Sequence, residues 1–216
     1  MPSSKGKHLS LFLFFRDASD PSCDMFARAA EWEATLLKSR YPKMIPITAD
    51  IQDKDKLIEV WKQASMICKK TNRKVMYVSI HSHLYQHSPF HDRRKVVGVE
   101  LFPDTETGLA QQKKHVLTED DIRGLEKLPW TKGALLHLHS CNSGLKGKRA
   151  WNPIQLFGES QNVVVVGERG YLNESCKPKV LKTPGRKPAN NDDPDPFYLN
   201  PYAVNTDGKR LNPVIY

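Results

Sequence analysis

Two apolar segments of this sequence end in side chains that can act together as a nucleophile and a base. Residues 75–80 lead into His81 and His83, and a second apolar run through Leu138 stops at Cys141, just before a turn-forming Asn-Ser-Gly. An imidazole helps a thiol to form the reactive thiolate, so this pair is the minimum requirement for a cysteine nucleophile. Ligands bind at the carboxyl ends of strands in α/β proteins, which favours a catalytic Cys141 over a buried structural cysteine.

Two histidines compete for the role of base. His81 and His83 point to the same side of a strand, because side chains alternate along it. The apolar run stops at Ile80, so His83 should lie further out, in the crevice beyond the sheet. The sequence therefore favours His83 as the base, with His81 as its neighbour.

The same segments carry a histidine cluster that could instead hold a metal ion. The alternating residues are His81, His83, His137, His139 and Cys141, on two strands that could be neighbours. Imidazole and thiolate are ligands for zinc and other transition metals. No carboxylate sits within the cluster, and the turn after the cysteine suits a nucleophile. The sequence thus favours an enzyme without metal or cofactor, and a metal-dependent hydrolase or nuclease remains the alternative.

The elements that must position these residues alternate between strand and helix. We expect strands at residues 9–15, 44–48, 74–80, 134–139 and 162–166, and helices at residues 20–40, 53–70 and 118–128. The third helix would begin at a capping box. Residues 96–102 read as an exposed strand of a hairpin. Repeated strand-helix-strand order predicts an α/β fold with a mainly parallel sheet between two layers of helices.

Composition indicates one globular domain followed by a tail. The 216 residues are 39% hydrophobic and 26% charged, which is ordinary for a soluble protein. The net charge of +9 comes from dispersed basic residues, so nucleic acid is not expected as a partner. Residues 177–216 hold seven of the fifteen prolines. We expect a domain over 1–176 and, over 177–216, an irregular tail that packs on it through aromatic residues.

Cysteine usage and the amino-terminal segment bear on the compartment. The four cysteines are widely spaced and form no Cys-x-x-Cys pair, which favours a reducing compartment over a disulfide framework. Residues 5–15 resemble a short signal peptide, but Arg16 and Asp17 stand where a small-residue cleavage site is needed. A first buried strand is the better reading. We expect a cytoplasmic protein, or one delivered into another cell, and no membrane association.

The two motifs resemble those of clan CD cysteine peptidases, the group of caspases, gingipains, clostripain, separase and the CHAT-domain proteases. The matching segments are residues 80–83 (Ile-His-Ser-His) and residues 138–144 (Leu-His-Ser-Cys-Asn-Ser-Gly). The similarity is greatest to CHAT-type proteins, in which the segment before the cysteine strand resembles residues 116–125. Element order agrees over about residues 9–171, although only the two motifs are specific.

The resemblance implies a caspase-like α/β/α sandwich and cysteine endopeptidase activity. Cys141 would attack the scissile carbonyl and His83 would act as the acid-base, with a protein as substrate and no cofactor. A compact protease of this kind would suit a bacterial toxin or effector, with a cognate inhibitor or immunity protein as a candidate partner.

Departures from the family pattern bear on substrate binding. The family usually has glycine after the histidine, and its backbone N–H helps to form the oxyanion hole; this chain has Leu84. An inactive caspase-like binding module is therefore a further alternative. Glu168 and Arg169 follow the strand that borders the family's specificity pocket. The first would favour a basic substrate side chain and the second an acidic one, and the sequence does not choose between them. Exposed loop charges without a role in binding are the simpler interpretation of both residues.

Overall fold

The computed structural model describes residues 7–15, 23–85, 98–100, 116–140, 153–167, 171–172, 203–204, 210–211 and 214–215. The helices in these ranges are α1 (Cys23–Arg40), α2 (Lys54–Thr71), α3 (Glu119–Gly124) and α4 (Pro153–Gln161). The longer strands are β1 (His8–Phe15), β2 (Ile45–Ile51), β3 (Lys74–His81), β7 (Trp130–His139) and β8 (Val164–Gly167). The short strands are β4 (His83–Tyr85), β5 (Gly98–Glu100), β6 (Val116–Leu117), β9 (Tyr171–Leu172), β10 (Ala203–Val204), β11 (Arg210–Leu211) and β12 (Val214–Ile215).

The five longer strands form a parallel sheet flanked by helices. The strand order is β12-β8-β7-β3-β1-β2, and β12 adds to β8 in the antiparallel sense at one edge. The α/β class and the mainly parallel sheet are thereby confirmed. The arrangement is that of a three-layer α/β/α sandwich. It places β3 directly beside β7, so the two motif-bearing segments are neighbours.

Strands β1 and β3 are buried along almost their whole length, since the sheet is flanked by helices. All residues of β1 after His8 and all residues of β3 after Lys74 are buried. Such continuous burial is typical of parallel strands. Trp61 of α2 is fully buried against the ring of Phe157 of α4, and its indole N–H donates to the backbone oxygen of Glu126 at 2.8 Å. The large indole ring can therefore lie in the core with its polar atom satisfied.

The capping signals in the sequence fix where two helices begin. The Asp53 side chain accepts a hydrogen bond from the backbone N–H of Lys56 and caps α2. Thr118 and Asp121 form a reciprocal capping box at the start of α3, as expected. The third helix nevertheless ends at Gly124, short of the predicted end at residue 128.

Several other boundaries differ from the sequence prediction. β7 begins at Trp130 instead of residue 134, and β3 continues one residue further than predicted, to His81. Helix α4 was not predicted from the sequence, although Pro153 in its first turn and the buried Ile154 and Phe157 fit a short amphipathic helix. It is only nine residues long, so its apolar spacing has few repeats and gives a weak signal.

Shorter antiparallel strands lie outside the main sheet. β5 pairs with β4 and β6, which confirms a hairpin strand within residues 96–102. β9, β10 and β11 form a second small sheet, and β12 joins the main one. The last three strands lie in the region assigned to the irregular tail, and the boundary at residue 176 stays a prediction. Within the described ranges, no helix is long and apolar enough to cross a membrane.

Candidate functional site

The carboxyl ends of β3 and β7 meet in register. His81 lies opposite His139, and the backbone N–H of Ser82 donates to the carbonyl oxygen of His139 at 3.1 Å. The hydroxyl oxygens of Ser82 and Ser140 are 2.8 Å apart, and both serines are buried. These serines are the chain neighbours of His83 and Cys141. The structure thus brings together the two residues that immediately precede the predicted base and nucleophile.

Of the predicted site residues, the structure describes only the backbones of His83 and Leu84. β4 places the backbone of His83 opposite Glu100 and that of Leu84 opposite Val99. Three other residues, Cys141, Glu168 and Arg169, lie outside the described residues. The catalytic roles of His83 and Cys141 therefore stay predictions. The same holds for the substrate-binding roles of Leu84, Glu168 and Arg169.

Beneath this edge lies a second polar group, which we call the inner cluster: Glu33, Tyr77, His81, His137 and His139. The Glu33 carboxylate projects from α1, and its two oxygens lie 3.3 Å from His81 Nε2 and 3.4 Å from His139 Nε2. The Tyr77 hydroxyl donates to the same carboxylate at 2.5 Å. The statement that no carboxylate sits within the histidine cluster is therefore wrong.

The sequence motifs did not include Glu33, because it lies far from the histidines along the chain. It is separated from His81 by 48 positions and belongs to another element. One signal could have found it: Glu33 lies on the side of α1 that carries the buried Phe26, Ala30 and Ala34. An acidic residue on an apolar helical stripe needs a buried partner, because isolated buried charge is costly.

The imidazole rings of the inner cluster pack closely against one another. The rings of His81 and His139 stack 4.2 Å apart at an interplanar angle of 10°, and the ring of His137 lies 3.6 Å from that of His139. His81 and His139 are each 1% exposed. Within the described part of the chain, neither ring nitrogen of His139 makes a hydrogen bond. His81 is thus an interior residue and not an open crevice group.

Burial and charge set the ionisation of this cluster. Complete burial, aided by repulsion from His137 and His81, holds the pKa of His139 well below its usual value, and attraction to Glu33 only partly opposes this. Burial also works to raise the pKa of Glu33, but attraction to His139 and His81, together with the hydrogen bond to His81, outweighs it and holds that pKa well below the usual range. Near neutral pH, Glu33 is ionised and His139 is neutral.

The inner cluster has the donor atoms of a metal site. One nitrogen each from His81 and His139 and one oxygen from Glu33 all lie within 4.8 Å of one another. Neutral imidazole and carboxylate are common ligands of zinc and related ions. Of the five residues in the sequence-based cluster, the structure brings His81, His137 and His139 together and adds Glu33 and Tyr77.

Fold and site together define an α/β protein with a parallel sheet, a histidine-rich interior and a serine contact where two central strands end. No protein-family model matches the chain, and no curated protein matches it in sequence. A fold alone does not determine activity, so the chemistry of these two sites must indicate the function.

Proposed function

We propose that this protein is a caspase-like cysteine endopeptidase in which Cys141 is the nucleophile and His83 the acid-base. The observation that carries the proposal is the contact between Ser82 and Ser140. Consecutive Cα atoms are about 3.8 Å apart, so each proposed catalytic residue is one short step along the chain from that contact.

The sheet topology supports the same assignment. β3 and β7 are parallel neighbours, so their carboxyl ends lie at one edge of the sheet. That edge is where open α/β sheets bind ligands. The resemblance of residues 80–83 and 138–144 to clan CD motifs adds the residue types that thiol catalysis needs at these positions.

Burial favours His83 over His81 as the acid-base. His81 is 1% exposed and interacts with Glu33, so its ring faces the interior and not a substrate. His83 begins the next strand, after the main sheet has ended. A general acid must come within hydrogen-bond reach of the leaving group, and the burial of His81 leaves His83 as the proposed acid.

The proposed reaction has two balanced steps. The Cys141 thiolate bonds to the scissile carbonyl carbon, and backbone N–H groups of Leu84 and Cys141 stabilise the oxyanion. The C–N bond breaks as His83 gives its proton to the leaving amine. Water then attacks the acyl-enzyme, His83 takes up a proton from it, and the thiolate leaves. The products are a new carboxyl terminus and a new amino terminus.

One observation favours a second candidate, a metal-dependent hydrolase. Glu33, His81 and His139 supply two nitrogens and a carboxylate within coordination reach of one another. A catalytic metal also needs an open position for water and access for the substrate. The two histidines are buried beneath α1, and this favours the peptidase reading.

A pair of inhibitors separates the two candidates. We expect iodoacetamide to abolish cleavage of an unfolded protein such as casein, and EDTA to leave the rate unchanged. The Cys141→Ala variant provides the matched blank for contaminating proteases. Loss of activity in EDTA, with retention after complete alkylation, would replace the peptidase with the metal-dependent hydrolase.

A further inference from the structure

We propose that Glu33, His81 and His139 form an internal binding site for a divalent transition-metal ion of the zinc type. The site is distinct from the proposed peptidase residues, since it uses neither Cys141 nor His83. The ion would link α1 to the two central strands β3 and β7, and so would stabilise the sheet edge from within. This inference goes beyond the proposed function and does not depend on it.

The donor spacing suits a tetrahedral ion. Zinc binds imidazole nitrogen and carboxylate oxygen at about 2.0–2.2 Å, which separates neighbouring donors by roughly 3.3–3.6 Å in a tetrahedron. One Glu33 oxygen lies 3.3 Å from His81 Nε2 and the other lies 3.4 Å from His139 Nε2. One donor atom of each residue lies within 4.8 Å of the other two, so side-chain rotations of modest size would bring three donors to the spacing of a tetrahedral site.

Rigid elements hold the three ligands. His81 and His139 are paired residues at the ends of adjacent parallel strands, and Glu33 belongs to the helix that packs on them. Tyr77 donates a hydrogen bond to the Glu33 carboxylate. Metal-binding carboxylates are commonly oriented by such a partner, so Tyr77 is a positioning residue for the proposed site.

A second, independent observation concerns the buried ring of His139. It is 1% exposed, and across the described ranges its two nitrogens have no hydrogen-bond partner. Buried polar atoms are normally satisfied, and an unsatisfied one needs an explanation such as an ion or ordered water. Its Nε2 lies 3.4 Å from a Glu33 oxygen outside hydrogen-bonding geometry. A metal between these two atoms would satisfy both.

The stacking of the rings predicts what binding must change. His81 and His139 lie at an interplanar angle of 10°, so their in-plane lone pairs are nearly parallel. The rings must tilt about their terminal side-chain torsions for both nitrogens to converge on one ion. The distribution of this torsion angle in histidine is broad and roughly two-fold, so the rotation costs little free energy. His137 lies against His139, so its ring signals should shift on binding.

Cobalt and zinc titrations of the full chain test the site. The sample is the Cys141→Ala protein after treatment with EDTA, because this substitution removes a thiol that could compete for the ion. We expect one Co²⁺ per chain with a spectrum of nitrogen and oxygen ligation and no thiolate charge-transfer band, and displacement by one Zn²⁺. The same protein should show a higher melting temperature with Zn²⁺, because a ligand that binds only the folded state stabilises it.

Variants locate the site. Glu33→Gln and His139→Gln should weaken Zn²⁺ affinity by more than the roughly 10- to 100-fold expected of the orienting variant Tyr77→Phe. Glu31→Gln, on the exposed side of the same helix as Glu33, is the matched control and should retain Zn²⁺ binding. If Glu33→Gln fails to fold, Tyr77→Phe and the cobalt spectrum decide. Failure to bind either ion, a thiolate band, or affinity unchanged in the folded Glu33 and His139 variants would overturn the proposal.

Discussion

Two pairs of residues, separated by two positions in sequence, differ in chemistry. His81 and His139 end β3 and β7 beneath α1, where Glu33 faces them. His83 and Cys141, which we call the strand-end pair, follow them in sequence, and the chain at His83 has already entered a separate small sheet. Burial makes the first pair suitable for structural or metal-binding roles. We propose catalysis for the second pair because it follows, in sequence, the ends of two parallel strands.

The strand-end pair should carry essentially all of the activity. Cys141→Ala removes the nucleophile, and we expect the rate of peptide cleavage to fall by about 10⁶-fold, the scale seen when a protease nucleophile is lost. The melting temperature should change little, since the side chain follows the end of the apolar strand. Steady-state kinetics with thermal unfolding as a control measures both. Normal cleavage by a folded Cys141→Ala protein would remove the basis of the peptidase assignment.

Substitution of the two histidines of the first motif should affect different properties of the protein. His83→Ala should lower kcat by about 10² to 10⁴-fold at nearly unchanged stability, because it removes the acid-base. His81→Ala should instead lower stability, because it removes one of the hydrogen-bond partners of the Glu33 carboxylate. Kinetics per folded molecule, combined with urea unfolding, separates the two effects. If His81→Ala is the inactive but stable variant, the base has been placed two residues too far along the chain.

The inner cluster should matter for folding more than for turnover. Glu33→Ala removes the carboxylate that Tyr77 and His81 contact, and we expect a loss of about 1–3 kcal/mol in the free energy of unfolding, as when a buried polar group loses its hydrogen-bond partner. Glu31→Ala, on the exposed side of the same helix, should stay within about 0.5 kcal/mol of wild type. Equal effects of the two substitutions in urea unfolding would contradict the packing described for α1.

Acid should weaken the inner cluster through His139. The pKa of His139 is lowered in the folded protein, so below about pH 6.5 the unfolded chain binds a proton that the folded one does not. Stability should then fall with decreasing pH by up to about 1.4 kcal/mol per pH unit from this residue. Urea unfolding between pH 7 and pH 5.5, with EDTA present, measures the slope. His139→Gln should flatten it; an identical slope would show that His139 does not titrate in this way.

Glu33 adds a separate acid effect at lower pH. Its folded pKa is also lowered, so its contribution is present above the unfolded value of about 4.5 and is lost as the pH falls from there towards the lower folded value. The two residues affect stability in different pH ranges, so unfolding between pH 7 and pH 5.5 reports mainly on His139.

Local patterns in the sequence were sufficient for most elements of the fold. The capping residues Asp53 and Thr118 mark their helices by interactions within three residues. The continuous apolar runs of β1 and β3 follow from burial on both faces. Helix α4 and the early start of β7 were missed, because a nine-residue helix has few repeats and residues 130–133 of the strand are not continuously apolar.

The site could be predicted only where its signal was local. The histidines and serines at the ends of β3 and β7 stand out because an apolar run stops there. The partnership of Glu33 with His81 and His139 depends on the docking of α1 on the sheet, which no short-range pattern encodes. The general lesson is that strand ends reveal candidate catalytic residues, whereas an interior cluster needs the tertiary contacts.

The most direct test of the central claim is whether His83 activates Cys141. Iodoacetamide labelling at pH 7, followed by mass spectrometry of each cysteine peptide, measures the reactivity of all four thiols in one experiment. Cys68 provides an internal control, since it is buried and burial raises the pKa of its thiol. We expect Cys141 to react fastest in the wild type and about 10-fold more slowly in His83→Ala, while Cys68 stays unmodified. Equal labelling of Cys141 in the two proteins would contradict a catalytic pair at the ends of β3 and β7.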